Sequence, residues 1–217
     1  MAKTKKGDFV EIDYVAKEKD TGRIFDLTSA AIAKKEGIKQ GHFHPISICI
    51  GEGDVVPGLD ESLVDKEAGK SFSVDIPSAK AFGPKNQKYV QLIATNKLLK
   101  NNIKPYPGLQ LDVDNMIGVV RSVSGGRTLV DFNHPLAGRD VTYDVTINKI
   151  LTTTEEKLKA FLGFHLHSHH EIPITIEKDT ATITFNLPGE FQTILSKKIN
   201  KCIPEIKHIL YKTDTKQ

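Results

Sequence analysis

The sequence lacks tryptophan altogether and has only two cysteines and two methionines among its 217 residues. Cys49 and Cys202 are far apart in the chain and belong to different apolar patterns, so the sequence gives no support for a disulfide or a cysteine-based metal site. Met1–Lys6 has no apolar run typical of a signal peptide, and no segment reaches the roughly 18 apolar residues of a membrane-spanning helix. These absences predict a cytoplasmic protein without a membrane partner.

A strong net charge is absent as well. The chain has 30 lysines and arginines, 27 aspartates and glutamates, and a formal net charge of +3, which is too small to indicate a nucleic-acid partner. Most of the basic residues are lysines, which suit a solvated surface better than bidentate recognition of phosphate. With 39% apolar residues the chain can bury real cores, and its length favours one or two domains.

Alternating apolar residues and turn residues divide the first 83 residues into short strands and helices. Thr28 is predicted to cap a helix over Ser29–Glu36, which Gly37 ends. Pro57 is predicted to begin a second short helix, whose apolar side holds Leu59 and Leu63. The predicted strands are Asp8–Ala16, Arg23–Asp26, Pro45–Ile50 and Ser71–Ile76.

A new pattern starts after Phe82 and Gly83, and the first one resumes at Val141–Ile150. Between these points Ser124-Gly125-Gly126 is a strong hairpin signal, because two runs of alternating apolar residues flank it. The strands predicted in this stretch are Lys88–Ala94, Gly108–Val113, Ile117–Val123 and Arg127–Phe132. The sequence therefore predicts a small domain that is cut open at a loop, with a second, β-rich domain placed inside.

Residues 152–217 have a third pattern. Thr153 and Glu156 have the spacing of a capping box, which predicts a helix through Leu162. There follow a hairpin that turns at Lys178-Asp179, a helix with the apolar stripe Phe191, Ile194, Leu195 and Ile199, and a strand over Ile206–Tyr211. An αββαβ module of about 60 residues buries little surface by itself. We therefore expect its apolar face to pack against a second copy of the chain in a homodimer.

A group of residues within about the first 150 positions resembles the FKBP-type peptidyl-prolyl cis-trans isomerases. It comprises Tyr14, Phe25-Asp26, Gly51–Leu59, Ala81-Phe82-Gly83 and Tyr143-Asp144-Val145. The insertion after Phe82, followed by Asn133–Gly138, resembles the SlyD-like subgroup, whose insert-in-flap domain binds unfolded chains. The tail is similar to that of the long-chain archaeal members.

The resemblance implies an α+β fold in which an antiparallel sheet wraps on a short helix. It also implies three parts: an isomerase domain (1–83 plus 132–151), a β-rich insert-in-flap chaperone domain (84–131) and a C-terminal α/β module (152–217). The partners implied are unfolded or proline-containing polypeptides.

The implied reaction needs no cofactor. Twisting an X-Pro bond breaks amide resonance, with a barrier of about 18–20 kcal/mol, and a dry apolar pocket disfavours the planar ground state more than the twisted one. Asp26 and the hydroxyls of Tyr14 and Tyr143 are expected to orient the substrate. The pocket residues implied by the resemblance are Tyr14, Phe25, Asp26, Ile46, Val55, Val56, Leu59, Phe82, Leu136 and Tyr143.

Two alternatives to the isomerase stay open. Leu59 stands where many relatives have tryptophan and Ile46 where many have phenylalanine, so a holdase with a vestigial pocket is one of them. The histidines of His165–His170, together with His42 and His44, offer imidazole nitrogens to nickel, copper or zinc. A metallochaperone is the second alternative, and whether these histidines bind metal is left open.

The inserted segment is expected to expose apolar side chains to clients, because about 45 residues bury little of their surface. Each of these side chains is also a candidate for the insert's own core. The client-binding residues predicted in this way are Tyr89, Val90, Leu92, Ile93, Leu98, Leu99 and Ile117.

Overall fold

The computed structural model describes residues 3–39, 41, 43–113, 116–166 and 172–213. The chain divides into two compact units, Met1–Ile76 with Asp140–Gln217, and Pro77–Arg139. The second unit is wider than the segment 84–131 that the sequence pattern marks, and the residues after 151 are part of the first unit. None of the helices in the described ranges has the length and apolar character needed to span a bilayer.

The chain has twelve strands and five α-helices in its described parts. The strands are β1 (Phe9–Glu18), β2 (Ile24–Leu27), β3 (Ile46–Cys49), β4 (Ser71–Ile76), β5 (Val90–Ala94), β6 (Gln110–Val113), β7 (Met116–Ser124), β8 (Arg127–Asp131), β9 (Val141–Leu151), β10 (Ile174–Glu177), β11 (Thr180–Thr184) and β12 (His208–Lys212). The helices are α1 (Ala30–Lys35), α2 (Pro57–Ser62), α3 (Thr95–Lys100), α4 (Thr154–Leu166) and α5 (Gly189–Cys202).

The main sheet of the first unit is antiparallel and has the order β2-β1-β9-β4, with β3 also paired to β1. Strand β9 lies between β1 and β4 and pairs with both along most of its length. Its alternate residues Val141, Tyr143, Val145 and Ile147 are buried, which is the period of two expected for a strand that covers a core. The α+β class predicted from the sequence is confirmed.

The two short helices of the first unit begin as the turn chemistry requires, with one correction. Ser29, and not Thr28, caps α1, where its hydroxyl accepts the N–H of Ile32. The Thr28 hydroxyl instead donates to Asp13 (2.7 Å) and accepts the N–H of Tyr14 (2.8 Å), so it ties the start of the helix to β1. Helix α2 begins at Pro57 and buries Leu59 and Leu63, as predicted.

The C-terminal part of the first unit shares a hydrophobic core with the main sheet. Thr153 and Glu156 form the predicted capping box at the start of α4, since each side chain accepts the backbone N–H of the other residue. Strands β10, β11 and β12 form a separate sheet, in which β12 runs parallel to β11. Phe9, Cys49 and Leu151 of the main sheet belong to the same buried cluster as the apolar residues of α4 and α5. The C-terminal region therefore packs most of its apolar residues within its own chain.

The two cysteines meet in this shared core, although their separation in the sequence gave no sign of it. Both are free and buried. Burial raises the pKa of the Cys49 thiol well above its ordinary value, and the hydrogen-bonded thiol of Cys202 raises it further. The two thiols lie close together because β3 and the end of α5 belong to the same core, and both cysteines are free.

The second unit is a four-stranded antiparallel sheet with the order β5-β8-β7-β6. Leu98, on the unpredicted helix α3, joins Leu111, Val120 and Val130 in its core. The two ends of the unit are held together, since the N–H of Gly138 donates to the carbonyl of Gly83 (2.8 Å). Asn86 and Asn133 add two hydrogen bonds of 2.8 and 3.0 Å between backbone and side chain. Because its two ends lie close together, the unit can be inserted in the sequence between β4 and β9 although these two strands pair with each other.

Candidate active site

Four polar and aromatic side chains meet at one face of the main sheet. Ala16 of β1 lies opposite both Asp26 of β2 and Tyr143 of β9, and Tyr14 is two residues away on the same face of β1. The Tyr14 hydroxyl donates to Asp26 Oδ2 at 2.7 Å. The ring centroids of Tyr14 and Tyr143 are 5.5 Å apart, and Phe25 meets the Tyr143 ring edge-on at 6.1 Å. We call Tyr14, Phe25, Asp26 and Tyr143 the aromatic corner.

The electrostatics of the aromatic corner keep both phenols neutral. Burial raises the pKa of Tyr14 above its ordinary value, and the hydrogen bond to Asp26 and the charge of Asp26 raise it further. Burial also raises the pKa of Tyr143, with a smaller contribution from Asp26. Both hydroxyls are therefore hydrogen-bond donors at neutral pH, and neither phenol is poised to exchange a proton.

The apolar residues predicted to line the pocket lie on β3, on the loop after it and on α2. We call Ile46, Val55, Val56 and Leu59 the apolar wall. Ile46, Val55 and Val56 are half-buried, whereas Leu59 is fully buried, with 1% of its surface exposed. The loop is shaped by the carboxylate of Asp60, which accepts the backbone N–H groups of Gly51 (2.7 Å) and Gly53 (3.2 Å).

Both of these glycines have a positive φ, and a Cβ at Gly51 would lie 2.6 Å from the Lys6 side chain. Sequence reasoning missed Asp60. The sequence does contain a signal for its role. Two glycines precede a helix with an aspartate in its first turn, and such a carboxylate can accept the N–H groups of the preceding loop.

The loop between β3 and α2 also makes polar contacts with helices α4 and α5. The carboxylate of Asp54 accepts the backbone N–H of Cys49 (3.1 Å) and lies 3.5 Å from His165 Nε2 and 3.8 Å from Lys198 Nζ. Its side chain is 4% exposed. A second contact joins Lys201 Nζ to Glu52 Oε2 at 2.6 Å. No local sequence pattern predicts the contacts with His165, Lys198 and Lys201, because each links residues more than 100 positions apart.

Phe82 and Leu136 belong to the second unit. Phe82 stacks on His134 with centroids 4.6 Å apart and an interplanar angle of 2°. Leu136 is buried, and its backbone N–H donates to His134 Nδ1 at 3.2 Å. The roles predicted for Phe82 and Leu136 in the pocket stay predictions.

A cavity of about 460 Å³ lies on the other face of the main sheet. Its lining includes Asp13, Asp144 and Thr146, which alternate with the residues of the aromatic corner along β1 and β9. Ile32 of α1 closes it. Tyr14 also lines this cavity, so the cavity and the aromatic corner share one residue and are built on the same two strands.

Most of the apolar residues predicted to bind clients have exposed or half-buried side chains in the second unit. Leu92 and Ile117 are more than 60% exposed, and Tyr89 and Leu99 nearly half. Val90 and Ile93 are half-buried. Leu98 is a correction, because α3 turns its side chain into the core, where it is 3% exposed. Sequence reasoning missed three further exposed residues, Tyr106, Met116 and Val123.

The histidines supply no metal site in the described part of the chain. No group of three or more metal-ligating side chains comes together among residues 3–39, 41, 43–113, 116–166 and 172–213. The His165 imidazole donates through Nδ1 to the Phe161 carbonyl (3.0 Å) and accepts from Lys198 through Nε2 (2.6 Å). His42, His167, His169 and His170, which the metallochaperone alternative invokes, lie outside the described residues.

Comparison with known families agrees with this geometry. A family model described as FKBP-type peptidyl-prolyl cis-trans isomerase matches residues 1–104, which carry β1 to β4. A second model, described as FKBP26, IF domain, matches residues 91–136, within the second unit.

Individual relatives extend the match. A short-type peptidyl-prolyl cis-trans isomerase of Methanocaldococcus jannaschii is 26% identical over 154 residues, which are 70% of this chain and 97% of the relative. The FKBP-type peptidyl-prolyl cis-trans isomerase SlyD of Treponema pallidum is 31% identical over 157 residues, 70% of this chain and 81% of the relative. A probable FKBP-type 16 kDa isomerase of Pseudomonas fluorescens is 33% identical over 108 residues, 48% of this chain and 71% of the relative. Together with the fold, these matches show that the chain belongs to the family of FKBP-type peptidyl-prolyl cis-trans isomerases and is an isomerase of that family.

Proposed function

We propose that the aromatic corner and the apolar wall formed by Ile46, Val55, Val56 and Leu59 are the pocket in which the X-Pro bond rotates. The observation that carries this assignment is the contact of Tyr14 with both Asp26 and Tyr143. It holds two neutral hydroxyls and one carboxylate beside the buried ring of Tyr143 and the half-buried rings of Tyr14 and Phe25. Phe82 and Leu136 are proposed as further pocket residues, on the grounds of the resemblance.

The mechanism follows from the difference between the planar and the twisted amide. The planar form separates charge between oxygen and nitrogen, and the twisted form has lost this resonance. Apolar walls solvate the charge separation poorly, so they favour the twisted form relative to the planar one. The Tyr14 hydroxyl donates to Asp26 and fixes its carboxylate, so the Tyr143 hydroxyl and Asp26 supply the donor and the acceptor that orient the backbone on either side of the proline. Every step is a rotation, so no proton or electron has to move.

Turnover of a short X-Pro peptide tests the pocket. A Tyr14→Ala/Phe82→Ala double variant is expected to lose at least about 100-fold in kcat/KM, which corresponds to roughly 2.7 kcal/mol of transition-state stabilisation. Phe191→Ala, which removes a 60% exposed aromatic ring elsewhere, is the matched control and should leave the rate unchanged. Equal rates for the wild type and the double variant would show that the reaction takes place at another site.

We further propose that the second unit binds unfolded polypeptides and presents their prolines to the pocket. The support is its group of exposed apolar side chains, together with the match of this segment to an IF-domain model. Because both sites are in one chain, a client held by the second unit raises the local concentration of its prolines at the pocket. Modest affinity at each site is then sufficient.

Replacement of 84–131 by a short flap loop separates the two activities. A short peptide needs only the pocket, so its turnover should stay within about tenfold of the wild type, or roughly 1.4 kcal/mol. Refolding of a proline-limited protein and suppression of aggregation should fall much further, because capture of the collapsing chain is lost. Equal losses in the peptide and protein assays would show that the insert is part of the catalytic pocket.

The homodimer predicted from the C-terminal region is proposed on its exposed apolar side chains. Phe191 and Ile194 on α5 and Leu210 on β12 are 54–65% exposed, although the rest of the region is packed on the main sheet. Sedimentation at several concentrations is expected to show a dimer that Phe191→Ser/Ile194→Ser dissociates. A monomer at all concentrations would remove the proposal.

A further inference from the structure

The charges of this chain are divided unequally between its two units. Pro77–Arg139 contains nine lysines and arginines, three aspartates and no glutamate, which gives a formal net charge of +6. The remainder of the chain, with 21 basic and 24 acidic residues, carries −3. The net charge of +3 for the whole sequence hides this division, so the argument against polyanionic partners holds for the first unit and not for the second.

The positive charge of the second unit is at its surface, whereas part of its negative charge is not. Asp131 is 5% exposed, and its carboxylate accepts from Arg121 (2.8 Å) and from the Asn133 side chain (2.8 Å). Asp112 is the exposed acid among the described residues of this unit. The exposed basic residues of this unit include Lys88, Lys97, Lys100, Lys104 and Arg127.

These basic residues are interspersed with the exposed apolar residues. Lys88 precedes Tyr89, and Leu99 stands directly before Lys100. Leu92 of β5 pairs with Leu129 of β8. Two positions further along the same strands, Ala94 pairs with Arg127. A groove of about 450 Å³ lies beside them, lined by Lys97 and Asp112 among apolar residues of β5, α3 and β6. A chain laid on this surface meets apolar contacts and positive charges in alternation.

We propose that the second unit selects, among unfolded polypeptides, segments in which apolar residues alternate with aspartate and glutamate. This inference rests on the proposed function of the unit in binding unfolded chains, and it specifies the class of chain. Burial of apolar side chains supplies the affinity, whereas the excess of positive charge decides between clients of equal apolarity. A segment rich in lysine or arginine is disfavoured by repulsion over the same surface.

A polypeptide fits this surface better than a nucleic acid. Most of the exposed apolar residues are aliphatic, including Leu92, Leu99 and Ile117, and offer no stacking platform for bases; the exposed aromatic residues in the described part of this unit are Tyr89 and Tyr106. Four of the five exposed basic residues named above are lysines, which lack the planar fork that binds phosphate bidentately. Alternation of aliphatic and positive groups instead matches a chain whose own apolar and acidic side chains alternate.

Peptide binding to the full chain tests the selection. Three labelled peptides share one apolar core and differ in flanks of Asp and Glu, Asn and Gln, or Lys and Arg. At low ionic strength the acidic peptide is expected to bind about tenfold more tightly than the neutral one, and the basic peptide more weakly than both. Near 1 M salt, where the Debye length is about 3 Å, the three affinities should converge.

Two charge variants assign the effect to the second unit. Lys88→Gln/Lys97→Gln/Lys100→Gln/Arg127→Gln is expected to remove most of the preference and to leave binding of the neutral peptide within about twofold. The matched control Lys34→Gln/Lys35→Gln/Lys39→Gln/Lys212→Gln removes four exposed positive charges from the first unit and should keep the preference intact.

The outcomes distinguish failure of the proposed client binding from failure of the charge selection alone. If none of the three peptides binds, the proposed function of the unit fails. Equal binding of the neutral and acidic peptides at low salt overturns the charge selection but not the client binding. So does a preference for the acidic peptide that persists in the second-unit charge variant. A single-stranded RNA oligonucleotide that binds more tightly than the acidic peptide overturns it in favour of a nucleic-acid partner. The expected order, with convergence in salt, supports it.

Discussion

The first unit depends on pairs of strands that are far apart in the sequence, β1 with β9 and β4 with β9, whereas the second pairs only strands within about 40 residues of one another in its described part. The first unit places hydroxyls and a carboxylate on one face of its sheet and fixes them by hydrogen bonds. The second has a core of four fully buried residues and leaves large apolar side chains in solvent. Rotation of one kind of bond requires fixed geometry, but binding of many different chains requires accessible surface.

Leu98 and Leu99 provide the sharpest test of this difference, because they are neighbours on α3 with opposite environments. Leu98→Ala is expected to destabilise the second unit by about 2–5 kcal/mol, since it opens a cavity in a small core. Leu99→Ala should leave stability within about 0.5 kcal/mol and weaken client binding instead. Hydrogen exchange of β5 to β8 measures the first effect. Equal effects of the two variants on exchange would show that α3 is not packed as described.

Asp131 makes the stability of the second unit sensitive to acid. Burial alone would raise the pKa of Asp131, but hydrogen bonds from Asn133 and from Arg121 lower it below its ordinary value. A lowered folded-state pKa means that the carboxylate stabilises the fold above about pH 4 and that this contribution is lost as pH falls through the folded value.

Asp131→Asn is expected to cost about 1–3 kcal/mol at neutral pH, because hydrogen bonds to a charged group are lost. The variant should also show a flatter decline in acid. The measurement is urea unfolding of the second unit's strands between about pH 3 and pH 7. Asp112→Asn, which changes an exposed acid of the same unit, is the control.

Tyr14→Phe probes the fixed geometry of the first unit, since it keeps the ring and removes the donor to Asp26. The kcat/KM for an X-Pro peptide is expected to fall about tenfold, or roughly 1.4 kcal/mol. Because the pKa of Tyr14 is raised above about 10, the wild-type rate should be flat between about pH 6 and pH 9. Binding of unfolded clients should not change. A rate that titrates near neutral pH in the wild type alone would assign proton transfer to the aromatic corner.

The smallest effect is expected at Lys201, whose contact with Glu52 is exposed on the lysine side. Lys201→Gln should change stability by less than about 1 kcal/mol and turnover by less than about twofold, as is usual for surface ion pairs. Asp54→Asn is the buried counterpart on the same loop, and it should have the larger effect on kcat. If the order of the two effects is reversed, the buried contact is not what holds the loop that carries Val55 and Val56.

Residues that act within a few positions of each other were predictable from the sequence. The alternation in β1, β4 and β9, the hairpin at Gly125-Gly126 and the capping box at Thr153 are local signals, and the structure contains each of them. Helix α3 was missed because it is six residues long and its N-cap residue, Ala94, has no capping side chain. Its stability comes from burial of Leu98, which local propensity does not report.

The parts of the site that depend on distant contacts could not be predicted in this way. The pairing of Tyr14 with Asp26 follows from a hairpin register, and it was within reach of a pattern argument. The contacts of Asp54 with Lys198 and of Cys49 with Cys202 depend on how α5 packs on β3, which only the assembled core determines. The division of charge was visible in the sequence, but it acquired a meaning only when the structure defined the two units.

The position of β9 in the chain has a consequence for the order of folding during synthesis. This strand lies between β1 and β4, and Phe9 pairs with Leu151, yet β9 follows the whole second unit in sequence. All four strands of the second unit are complete by Asp131, and they need only nearby partners. We therefore expect the second unit to fold on the ribosome while β1 to β4 still wait for their central strand. Under the proposed function of the second unit, a nascent molecule would bind another unfolded chain before its own isomerase domain is complete.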